Sequence, residues 1–184
     1  MRILCFLLTF LISGSVLQAQ SAAFPSYQLA RQSTVILKNA DRQLPLDGLD
    51  TLRIGVVSLS GDPIPAFLET MAKYTPNASR TATVVRMGSS AAKEWAQEQA
   101  DAFDVFVVIV RDETYRGRPL PYMYKRASIE ALVERMPVIS VVFDPQQGLE
   151  EMTVFGESQA LIVAPYNEYG QSLAAQILFG GSQA

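Results

Sequence analysis

The sequence predicts an α/β fold: a three-layer sandwich, with helices on both faces of a mainly parallel sheet of about five or six strands. Three observations predict it. The runs LRIGVVSL, FDVFVVIV, VISVVF and ALIVA have the nearly unbroken, β-branched character of strands buried on both faces. The stretches between them repeat apolar residues at helical spacing, the pattern of right-handed crossovers between parallel strands. Glycines and prolines stand singly at the ends of these stretches, so no linker, internal repeat or low-complexity segment divides the chain.

In chain order, LRIGVVSL (52–59) is the first strand, and SGDP breaks it. Asp62 is placed to cap a helix with Pro63 at its first position, and Ile64, Phe67, Leu68 and Met71 share one face at i, i+3, i+4 and i+7. TATVVRM (81–87) reads as a strand, and Ser89 or Ser90 caps a helix running through Trp95 to about Ala100. FDVFVVIV (103–110), polar only at Asp104, belongs in the middle of the sheet. The polar loop RDETYRGRPLP (111–121) follows, then a helix with Ile129, Leu132, Val133 and Met136 on one face, which Pro137 stops. VISVVF (138–143) is a strand closed by DPQQG, and LEEMTVF (149–155) is short and helical or irregular. ALIVA (160–164) is the last strand, and a final helix follows, with Asn167 as its cap and Gly180 as its ending glycine.

The first twenty residues, MRILCFLLTFLISGSVLQAQ, have the order of a secretory signal peptide: Arg2, an apolar run too short to span a bilayer, then small residues near Ala19. The expected organisation is therefore a signal peptide at 1–20, a lead-in segment at 21–50 and the sandwich domain at 51–184. Cleavage removes Cys5 and Arg2, leaving 14 basic and 18 acidic residues, a formal net charge of −4 and no thiol. Stability then comes from packing rather than disulfides. Mild acidity without a Lys/Arg run argues against nucleic acid or an anionic membrane surface as partner. The chain has no histidine, which excludes His-based triads, most zinc sites and a histidine proton shuttle.

Open α/β sheets gather their sites outside the carboxyl ends of the strands, so the loops there carry the candidates. SLSGDP (58–63) has one glycine and lacks the G-x-G-x-x-G spacing for close approach to a pyrophosphate. RDETYRGRP (111–119) is the richest loop: Asp112, Glu113, Tyr115 and Arg116 can hydrogen-bond sugar hydroxyls or pair a carboxylate. Asp112 and Glu113 are sequence neighbours, which does not make the separated carboxylate pair of a glycosidase. At the last strand exit, Tyr166 and Glu168, with Tyr169 beyond, can meet a sugar or a partner, or pack under the final helix. Asn77-Ala78-Ser79 matches a glycosylation sequon.

RQSTVILKN followed by LPL (Arg31–Asn39, Leu44–Leu46) resembles the lead-in to the C-terminal α/β-sandwich domain of glycoside hydrolase family 3, where an A-R-x-S-x-V-L-L-K-N…L-P-L segment links barrel to sandwich. The likeness continues through LRIGVVSL, FDVFVVIV, PVISVVFDP and ALIVAPYNEYGQSLAAQILFGG. In the family an A-L-I-V-A-Y strand leads to a helix ending in A-A-Q-x-x-F-G-G. The wording is most similar to bacterial β-glucosidase-like and β-N-acetylglucosaminidase-like members, including those of Bacteroidetes type.

The departures matter as much. The family's nucleophile is an aspartate in an N-terminal (β/α)8 barrel, and here a signal peptide stands directly upstream. The β-glucosidase acid/base glutamate would fall near Gly117, and the histidine of the N-acetylglucosaminidase branch has no counterpart. The G-x-L-P-V segment after F-G-G is also absent. The resemblance implies a secreted or periplasmic domain without a catalytic residue, metal or cofactor. Asp112, Glu113, Tyr115, Arg116, Tyr166 and Glu168 would face substrate. Its partners would be a separate (β/α)8 barrel domain or protein and a β-linked sugar or amino sugar, with no nucleic acid and no membrane span after signal cleavage. Alternatives are a non-catalytic carbohydrate-binding module and a fragment of a split glycosidase.

Overall fold

A computed structural model of the chain describes residues 25–60, 62–75, 94, 98, 102–111, 114–115, 118–119, 123–145 and 151–182. Helix α1 covers residues 25–33. The elements that follow are β1 (Val35–Asn39), β2 (Ile54–Ser58), α2 (Pro65–Tyr74), β3 (Val105–Arg111), a ribbon of β4 (Thr114–Tyr115) and β5 (Arg118–Pro119), α3 (Met123–Val133), β6 (Val138–Phe143), β7 (Ala160–Ala164) and α4 (Glu168–Leu178). Short 3-10 helices lie at Ala40–Arg42 and Glu151–Phe155. The signal-peptide residues, the strand expected at 81–87 and the sequon lie outside the described residues. Of the helix expected to end near Ala100, only Glu94 and Glu98 are described, both helical.

One five-stranded sheet has the order β1-β7-β6-β3-β2. Strands β2, β3, β6 and β7 run parallel, and β1 closes the edge antiparallel to β7. Every residue of β2, β6 and β7 is buried, as the unbroken apolar runs predict. Alternate side chains point to opposite faces and build two cores. On one face Val56, Val107, Val141 and Ile162 meet Phe67 and Met71 of α2 and Leu178 of α4. On the other, Phe106, Val108, Val142 and Val163 meet Ile129 and Leu132 of α3 and Phe155. This is the expected sandwich. A polar pair inside it is satisfied: Ser140 Oγ and Ser158 Oγ lie 2.7 Å apart.

The lead-in segment takes part in the sandwich. Asn39 Nδ2 donates to the Leu44 carbonyl at 3.0 Å, and the Leu44 N–H donates to Asn39 Oδ1 at 2.9 Å. That clamp turns the chain so that Leu44 and Leu46 enter the core. The Leu46 N–H then donates to the Leu178 carbonyl at 2.7 Å. The spacing between the K-N and L-P-L parts thus has a local physical cause.

Asp62 does not cap α2. The helix begins at Pro65, and Ile64, its N-cap residue, makes no side-chain cap bond. A residue before proline is driven out of the helical region, and Ile64 sits at φ −126° and ψ 50°. The apolar face is as expected, with Ile64, Phe67 and Met71 buried. Asn167 does cap α4, accepting from the Gly170 N–H at 2.8 Å, and Gly180 ends it at φ +73°. Asp104, the polar residue of its run, forms a two-point ion pair with Arg53 (Nη2–Oδ1 2.7 Å, Nε–Oδ2 3.1 Å). Hydrogen bonds from the Arg53 side chain and backbone hold the Asp104 carboxyl below its usual range.

Candidate functional site

The four parallel strands end on one edge of the sheet, and the turns leaving them meet around Tyr166. Arg111, the last residue of β3, donates its backbone N–H to Ser60 Oγ at 3.1 Å. Its guanidinium lies 3.9 Å over the Tyr166 ring and 3.4 Å from Asp62 Oδ1. The planar cation therefore bridges an aromatic face and a carboxylate. Tyr166 donates its backbone N–H to Asp144 Oδ1 at 2.8 Å and its hydroxyl to the Pro63 carbonyl. Its ring meets Phe143 edge-on at 5.8 Å. Asp144 holds the left-handed conformation at φ +48°, tolerated best by residues of its kind, and its N–H donates to the Ala164 carbonyl at 3.0 Å.

Tyr166 thereby ties together the exits of β2, β3, β6 and β7. Burial raises its phenol above the ordinary value; the Asp62 charge adds to the rise and the Arg111 charge opposes it. The ring has one face under Arg111 and its hydroxyl committed, so the cluster is a preorganised charged floor rather than an open stacking platform.

Beside it, α4 begins at Glu168, an acidic residue suited to the partial positive charge of a helix start. An open pocket of about 310 Å³ lies between the first turns of α2 and α4, lined by Pro65, Ala66, Glu69, Glu168 and Gln171. The half-buried rings of Tyr27 and Tyr169 meet edge-on at 6.1 Å, bringing α1 to the start of α4.

Of the residues expected to face substrate, Tyr166 is the centre of the charged floor and Glu168 lines the neighbouring pocket. Tyr115 lies in the small antiparallel ribbon, in register with Arg118. Asp112, Glu113 and Arg116 lie outside the described residues. Arg111, Asp62, Asp144 and Tyr27 join the region although sequence reasoning singled out none of them for it. The usable signal was position alone, because Arg111, Asp62 and Asp144 all stand at strand exits. Among the described residues no group of three or more acidic, cysteine or histidine side chains is placed to hold a metal, and no helix is long and apolar enough to cross a membrane.

No family model matches the chain, and no curated protein does. Solved structures do. A fungal multi-domain GH3 β-N-acetylglucosaminidase aligns with a TM-score of 0.63 at 13% identity, over 88% of this chain and 18% of that one. A β-glucosidase from Listeria innocua aligns with a TM-score of 0.62 at 18% identity, over 85% of this chain and 25% of its own. A β-glucosidase from Erythrobacter marinus aligns with a TM-score of 0.64 at 17% identity, over 87% and 28%. This chain thus spans less than a third of the length of each. What it is similar to is one sandwich-folded portion of larger glycosidase chains.

Proposed function

We propose that this chain is an accessory sandwich domain of a secreted, family 3 type sugar-cleaving system, which forms one wall of a cleft completed by a (β/α)8 barrel and does not hydrolyse glycosides alone. The observation that carries this reading is the asymmetric fold likeness: nearly all of this chain matches under a third of several glycosidases. The lead-in and C-terminal motifs support it, as does the charged floor of Arg111, Asp62, Asp144 and Tyr166 on the edge where α/β sheets meet ligands. In this system Tyr166 and Arg111 hold the cleft wall rigid, and Glu168 and the 111–119 loop face the β-linked sugar or amino sugar.

The test is hydrolysis of aryl β-glucoside and β-N-acetylglucosaminide by the purified chain, alone and with a family 3 barrel supplied separately. No turnover by the chain alone, and turnover or tighter binding once the barrel is added, is the expected result. Robust turnover by the isolated chain overturns the reading. A second reading, a carbohydrate-binding module without a barrel, is favoured by the half-buried Tyr27–Tyr169 ring pair. Sugar binding that Tyr27→Ala abolishes and a barrel leaves unchanged would select it.

A further inference from the structure

We draw no further inference here: the strongest candidate, the exposed apolar surface patch of Leu29 in α1 and Val35, Ile36 and Leu37 in the sheet-edge strand β1, carries nothing because nothing in the structure shows what covers it.

Discussion

Replacing Gly170 by alanine sets two effects of opposite sign against each other. In a helix alanine is favoured over glycine by about 0.5–1 kcal/mol, so propensity alone makes the variant more stable. The surroundings oppose it. A Cβ at Gly170 would lie 2.1 Å from the Pro165 carbonyl oxygen, 2.8 Å from Pro165 Cγ and 3.0 Å from its carbonyl carbon. These atoms belong to the turn between β7 and α4, and no side-chain rotation removes them. Overpacking of this kind costs about 1–3 kcal/mol, so the net change is a destabilisation of about 1–2 kcal/mol. Because Pro165 precedes Tyr166, a displaced turn also disturbs the Tyr166 N–H to Asp144 bond. Urea unfolding followed by far-ultraviolet circular dichroism measures the first effect, and the tyrosine signal in the near ultraviolet reports the second. A Gly170→Ala protein with an unchanged slope and an equal or higher midpoint refutes the reasoning.

Tyr166 titrates above its ordinary value, so its contribution to stability is complete below about pH 10 and is lost as pH rises through the folded-state value. Thermal melts should therefore show the parent protein losing more stability than Tyr166→Phe on that alkaline limb. Asn167→Ala removes the acceptor for the Gly170 N–H and should cost about 1 kcal/mol in the same urea assay.

Four strands were legible because burial on both faces leaves no polar position to interrupt the run: β2, β3, β6 and β7 fall where LRIGVVSL, FDVFVVIV, VISVVF and ALIVA stand. β1 was not legible as a strand. VILKN is an exposed antiparallel edge with a register shift between Ile36 and Lys38, so it shows neither a continuous run nor a clean alternation, and its partner is remote in sequence. The start of α2 was misplaced because Asp62-Pro63 resembles a cap, whereas Pro65 governs the backbone of Ile64. At the candidate site, Tyr166 was visible from its position after a strand. Its partners Asp62, Arg111 and Asp144 come from three other exits, and their proximity follows from strand order, which no local pattern encodes.

The pairing of β1 with β7 also bears on how the molecule assembles. Val35 can pair with Val163 only after nearly the whole sandwich has left the ribosome, so the main-chain groups of the first-made strand must wait unpaired for the last-made one, beside Val35, Ile36 and Leu37, which stay exposed even in the finished fold. A nascent chain halted before β7 would expose that sticky ribbon throughout the pause, and chaperone capture during synthesis should concentrate there.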